Sequence, residues 1–282
     1  MSLDAMLEVS QLAANVFQDD SGLWVSRNRS DVSYPADGSE ACFAVEERSF
    51  WFNHRNRIIT SLVEAFSPAA TVFDIGGGNG FVAMALQRAG IECVLVEPSP
   101  QGARHARARG VATVIQSTLL DAGFQPGSMP ACGLFDVLEH IDGDRAFLQA
   151  VHRCLQPGAS LYLTVPAWNA LWSVDDDFAG HFRRYSLRGL RGVLESAGFS
   201  VVYCSYFFWF LVPAVFLFRS VPSRLGIRRS ITASTVTAEH TPPQGLAGRV
   251  LERCQAIELT AIQSGRQIPF GSSCVAVARK AK

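Results

Sequence analysis

The stretch Val-Phe-Asp-Ile-Gly-Gly-Gly-Asn-Gly at residues 72–80 constrains the fold of this chain more than any other segment. Val72, Phe73 and Ile75 give a short buried-strand pattern, and the glycines after it let the backbone turn tightly and approach a ligand closely. Phe81-Val-Ala-Met-Ala-Leu-Gln-Arg-Ala then reads as a helix. Strand, glycine turn and helix form the unit that seats a nucleotide-like cofactor on an α/β sheet. The dinucleotide fingerprint G-x-G-x-x-G needs its third glycine at position 81, where Phe81 stands, and this speaks against a nicotinamide cofactor. A turn with no ligand is the plain alternative.

A second apolar strand, Ile91-Glu-Cys-Val-Leu-Val, ends at Glu97. An acid about 20 residues after the glycine turn accepts hydrogen bonds from ribose hydroxyls; the plain alternative is a solvated strand-end carboxylate. A third strand is predicted over 111–117, followed by Thr118, and a fourth over Gly133-Leu-Phe-Asp-Val-Leu-Glu-His-Ile. A helix is expected to end at Pro157-Gly158, with a fifth strand running to Pro166.

The run acid-x-Gly-x-Gly-x-Gly from Asp74 resembles motif I of the class I S-adenosylmethionine-dependent methyltransferases. Phe135-Asp-Val-Leu-Glu-His140 resembles a segment of the subgroup that includes quinone-biosynthesis O-methyltransferases. The resemblance implies a Rossmann-like, three-layer α/β/α fold with a seven-stranded, mostly parallel sheet and an antiparallel last strand, here over 268–280. It implies an enzyme using S-adenosylmethionine, held by Asp74, Gly76, Gly78, Gly80, Glu97 and Phe135, with Ser117 or Thr118 near the adenine in place of an acid. The helix begun at Glu46 resembles the segment preceding motif I in bacterial relatives. There Phe50, Trp51, Arg55 and Asn56 would close over the cofactor, Arg55 through the planar fork that suits a carboxylate.

Composition agrees with one enzyme domain plus additions: 282 residues, 48% hydrophobic and 18% charged, can bury a core. The 25 basic and 25 acidic residues cancel, so no global field favours nucleic acid, and Arg104, Arg107 and Arg109 read as a solvated helix face. Seven cysteines without a C-x-x-C pair, mostly inside apolar patterns, are expected to be core residues of a cytoplasmic protein. Residues 1–45 are expected to form an extension or lid, and residues 46–282 the methyltransferase domain.

Methyl transfer to a hydroxyl needs a base, and His140 and His181 are the candidates. Asp136, Glu139 and His140, spaced i, i+3 and i+4, would share one side of a helical turn. That spacing also suits a divalent cation; the resemblance to subgroups with an acid-x-x-Glu-His run implies magnesium or a similar metal there, with His181 as a further ligand. His181 lies in Asp175-Asp-Asp-Phe-Ala-Gly-His-Phe-Arg-Arg-Tyr-Ser, which resembles the substrate-side segment of the subgroup. There Asp177, Arg183, Arg184 and Tyr185 would face an anionic or phenolic acceptor, walled by Trp168 and Trp172; a structural loop with arginines paired to aspartates is the alternative.

Residues 206–218 form a wholly apolar run of 13, ended by Arg219, inside an insertion at 206–262 whose last helix is Leu246–Ile262. Spanning a bilayer takes about 20 such residues. The run is therefore a membrane-surface contact, a core helix or a homodimer surface. The expected acceptor is a hydrophobic or lipid-linked small molecule, and the expected location the cytoplasm or the inner face of its membrane. A cofactor-binding protein without turnover and an NAD-linked oxidoreductase are the competing functions.

Overall fold

The computed structural model describes residues 9–28, 30, 38–67, 69–227 and 233–282. Nine strands share one sheet: β1 (Val16–Gln18), β2 (Trp24–Ser26), β3 (Val72–Ile75), β4 (Cys93–Val96), β5 (Thr113–Gln116), β6 (Met129–Phe135), β7 (Leu155–Pro166), β8 (Phe199–Phe207) and β9 (Ser273–Lys280). Their order is β1-β2-β5-β4-β3-β6-β7-β9-β8. Strands β2 through β7 pair in parallel, whereas β9 runs antiparallel between β7 and β8. The expected seven-stranded sheet is β3 to β9; β1 and β2 extend its edge and correct the count to nine.

Helices cover both faces. Ile58, Leu62, Val82, Leu86, Ala103 and Leu259 fill one side, from the helices Phe50–Phe66, Phe81–Arg88, Pro100–Ala108 and Gly245–Gln263. Leu148, Val151, Leu190 and Leu194 fill the other, from Asp144–Cys154 and Leu187–Ser196. Ser49 caps the Phe50–Phe66 helix by accepting from Trp51 N and Phe52 N, which moves its start four residues past Glu46. The Asp144–Cys154 helix stops before Leu155, so Pro157 and Gly158 belong to β7 rather than to a helix end.

Strand β3 sits at the switch point, with β4 on one side and β6 on the other, and its carboxyl end opens into the crevice where such sheets bind ligands. Three non-glycine residues with φ near +58°, Asp136, Trp168 and Phe208, follow β6, β7 and β8 at that same edge. Backbone strain of this kind collects at ligand sites.

The chain leaves β8 at Phe207 and returns at Ser273, and the excursion between them is mostly helical. A buried pair secures it: His54 Nε2 lies 2.8 Å from Glu258 Oε2, and Glu258 Oε1 accepts from Trp209 N at 3.0 Å. Phe207 and Phe208 are fully buried, so the start of the apolar run is core; Leu217 and Phe218, 56% and 72% exposed, are not. No helix among the described residues is long and apolar enough to cross a membrane.

Candidate active site

A cavity of about 1530 Å³ opens over the carboxyl ends of β3, β4 and β6. Single-ligand pockets run to about 1,000 Å³, so this one has room for two molecules side by side. Over β3, the turn after Ile75 presents Gly78, whose missing side chain would meet no heavy atom within 4 Å. Asp74 lies beneath it, fully buried, with neither carboxylate oxygen hydrogen-bonded among the described residues. Burial, with the charge of Glu97 added and Arg55 opposing, raises Asp74 to about 7. Glu97, at the end of β4, accepts from Gly78 N at 2.9 Å and from Ser99 N at 2.8 Å. Burial outweighs those bonds and raises it to about 7 as well. An unpartnered acid beneath an open glycine is a cradle for a cation.

The other half of the cavity gathers chemistry from three segments. After β6 come the strained Asp136 and the short turn Leu138–His140; after β7 come the short helix Val174–Ala179 with Asp176 and the loop with His181 and Arg184; the insertion supplies Leu211, Ala214, Val215 and Phe218. The rings of His140 and His181 meet edge to face with centroids 4.7 Å apart. Asp176, 1% exposed, accepts from His181 Nδ1 at 2.8 Å, Arg184 Nε at 2.7 Å and Arg184 Nη2 at 2.9 Å. Its burial would raise the carboxyl, but these donors win and hold it at about 2. His140 moves down to about 4, through burial first and then its neighbour His181. Glu139, also 1% exposed, is pushed well above the usual carboxylate range by burial and then by Asp136.

A methyltransferase-domain model matches residues 50–203, more than half of the chain. The chain belongs to the class I S-adenosylmethionine-dependent methyltransferases. A ubiquinone biosynthesis O-methyltransferase of Xanthomonas campestris pv. campestris is 30% identical over 103 residues, 34% of this chain and 43% of that relative. An uncharacterized methyltransferase of Mycobacterium sp. (strain KMS) is 32% identical over 108 residues, 35% and 39% of the two chains. The match thus spans less than half the length of these curated relatives. In fold, the methyltransferase is similar to a chain in a Haloferax volcanii complex between the Trm112 methyltransferase activator and a methyltransferase, with TM-score 0.56, 17% identity and coverage of 87% and 98%. It is also similar to Haemonchus contortus phosphoethanolamine N-methyltransferase 2 in complex with S-adenosyl-L-methionine, with TM-score 0.55, 17% identity and coverage of 89% and 58%.

Of the residues singled out in the sequence, the methyltransferase brings Asp74, Gly76, Gly78, Glu97, Ser117, Thr118, Phe135 and Arg55 to the wall of one cavity, together with His140, His181 and Arg184. Gly80 is not on that wall: a Cβ there would stand 2.8 Å from Ala106 and Val111, so its role is helix packing. The Ser117 and Thr118 hydroxyls bond to local partners, Thr118 O and Asp121. Arg55 hydrogen-bonds Asp136 and packs over Trp51 and Phe52, with its Nε unpartnered among the described residues.

Five expected acceptor contacts, Asp177, Arg183, Tyr185, Trp168 and Trp172, lie off the cavity, and Arg183 is taken up by Asp142 and by Asp144 at 2.8 Å. Trp168 stacks on Tyr206 at 4.8 Å, Trp172 Nε1 donates to Asp177 Oδ1 at 3.0 Å, and Tyr185 is buried with its hydroxyl donating to Asp144 Oδ2 at 2.9 Å. Arg184 does reach the wall, but its fork is spent on Asp176, so it braces the loop. Asp136 is hydrogen-bonded by Arg55; the cluster whose ligating atoms lie within 4.8 Å of one another is Glu139, His140 and His181. Arg109 is no solvated residue: it pairs with Glu46 at 2.7 Å and covers Phe43 and Phe81. Glu46, Arg219, Glu239 and His240 line the cavity without any signal in a local motif. Only contacts across the fold bring them there.

Proposed function

We propose that the enzyme transfers the methyl group to an oxygen of a hydrophobic or lipid-linked small molecule. The observation that carries this reading is the convergence, in one cavity, of the His140 and His181 pair with the apolar wall of the insertion. The O-methyltransferase name of the Xanthomonas relative supports oxygen as the acceptor atom. S-adenosylmethionine, when bound, supplies a methyl on a positively charged sulfur. Asp74 would face its amino group, Glu97 its ribose, and Ser117, Thr118 and Phe135 its adenine end. Positioning is the main catalytic term for in-line transfer. Asp176 accepts the Nδ1 hydrogen of His181 and so leaves Nε2 free to take the acceptor's proton. The direct test is methyl transfer to a catechol carrying a dodecyl chain in detergent micelles; methylation of a dodecyl amine instead would overturn oxygen as the acceptor atom.

Cofactor binding should depend on pH in a defined direction. Asp74 and Glu97 titrate near 7, and a cationic ligand favours their ionised forms. Affinity for S-adenosylhomocysteine, which keeps the amino group, should therefore rise from about pH 6 to pH 8, with protons released on binding. Calorimetry in buffers of different ionisation enthalpy measures both, and proton uptake would contradict the arrangement.

A second reading follows from Glu139, His140 and His181. One carboxylate and two imidazoles suit a divalent cation, which would hold acceptor oxygens and lower the hydroxyl's pKa. Dialysis against EDTA separates the two readings. Full activity afterwards supports the histidine base, and loss restored by magnesium or zinc supports the ion.

We assign the exposed Leu217 and Phe218 to a membrane surface; Phe218 also lines the cavity. Replacing Leu217 and Phe218 with serine should reduce flotation with anionic liposomes at unchanged cofactor affinity; unchanged flotation would remove the membrane.

A further inference from the structure

We propose that His240, supplied by the insertion, is a neutral hydrogen-bond donor that orients the acceptor by one of its oxygens; this rests on the oxygen-acceptor reading above. His240 ends the Ala233–His240 helix and lines the cavity. Its ring stacks on Phe52, with centroids 5.3 Å apart and planes 17° from parallel, and meets Trp51 edge-on at 6.4 Å. Both aromatic residues belong to the first turn of the helix that also carries Arg55.

Ser49 fixes which ring nitrogen carries the hydrogen. Its buried hydroxyl accepts from Trp51 N at 3.2 Å and Phe52 N at 3.1 Å, and lies 2.7 Å from His240 Nδ1. A serine hydroxyl has two acceptor sites and one proton. The cap bonds fill both acceptor sites, so the proton goes to Nδ1 and the ring keeps its own hydrogen on Nε2. Burial, and after it Arg219, pushes the ring's titration down to about 4, which leaves it uncharged at neutral pH. An uncharged N–H donor reads an oxygen lone pair.

His240 is tied to the segment of the base through Arg219. Glu239 pairs with Arg219, which also reaches Asp175 at 3.6 Å, and Asp175 precedes the Asp176 that orients His181. Arg219 thus ties the helix bearing His240 to the loop bearing His181. The two histidines line one cavity from different segments, one to donate to an oxygen of the acceptor and the other to take its proton.

Long-range ¹H–¹⁵N spectra of the full chain labelled at histidine are the first test. His240, assigned by loss of its signals in His240→Gln, should show the Nε2–H tautomer from about pH 8 to pH 5; the Nδ1–H tautomer would overturn the proposal. Transfer to dodecyl catechol is the second. His240→Phe keeps the stacking and removes the donor, so kcat/KM for the catechol should fall roughly tenfold, the upper range for one neutral hydrogen bond, while affinity for S-adenosylhomocysteine stays unchanged. His240→Gln, which keeps an N–H donor, should recover most of the loss. Transfer unaffected by His240→Phe, or an equal loss of cofactor affinity, would overturn the role of His240 and leave the oxygen-acceptor reading standing. No transfer by the wild type, with His240 still shifting when dodecyl catechol joins S-adenosylhomocysteine, would overturn only turnover onto that oxygen. Neither transfer nor shift would overturn both.

Discussion

Replacing Gly78 with arginine should weaken binding of S-adenosylhomocysteine at least a hundredfold, about 2.7 kcal/mol, with little change in melting temperature. The backbone at Gly78 has φ +55° and its Cβ position faces open space, so a long side chain can enter the cavity without disturbing the packed sheet. The left-handed conformation costs a non-glycine residue about 1 kcal/mol. The guanidinium would then lie beside Asp74 and Glu97, neutralising the charge that a cationic ligand needs. Gly77→Ala is the contrasting control, since its Cβ would overlap Leu95 and stand 2.5 Å from Asp74 Oδ2. Overpacking of that kind costs about 1–3 kcal/mol, so it should lower the melting temperature by several degrees. Full binding by Gly78→Arg would mean that the cofactor does not sit over this turn.

Removing the base has the second large effect. His181→Ala should lower kcat by about 10²–10⁴-fold, the usual contribution of general acid–base catalysis, with cofactor affinity intact. Asp176→Asn should lower kcat too, and it should also destabilise the fold, because the part-buried Arg184 loses its counter-charge. The sign of the acid dependence is fixed by Asp176. Its folded value of about 2 lies below the ordinary 3.8, so its pairing stabilises the protein above about pH 4 and is lost as pH falls towards 2. Two units correspond to roughly 2–3 kcal/mol at neutral pH. In Asp176→Asn that step of the acid denaturation curve should vanish. Wild-type kcat in His181→Ala would leave positioning as the whole of catalysis.

What the sequence made legible was local. The strand ending at Ile75, its glycine turn and the acid at Glu97 each follow from a few neighbouring residues, and each stands where expected. His140 and His181 were readable because both follow strands at the ligand edge. The illegible parts depend on contacts distant in sequence. Strands of three residues such as β1 and β2 carry no usable period. Trp168 and Tyr185 have the composition of a binding pocket, yet stacking and buried hydrogen bonding claim them for the scaffold. Phe208 looked like the rest of its apolar run until packing against Trp51 separated core from surface.

Because Phe207 and Ser273 are register partners on adjacent antiparallel strands, the 65-residue excursion between them begins and ends at one point of the sheet. Closing such a loop costs an entropy that grows only slowly with length. On the proposed acceptor reading, a segment of different length or wall composition, grafted at the same two residues and keeping Glu258 as the counterpart of His54, is expected to change the acceptor without touching β3 and β4.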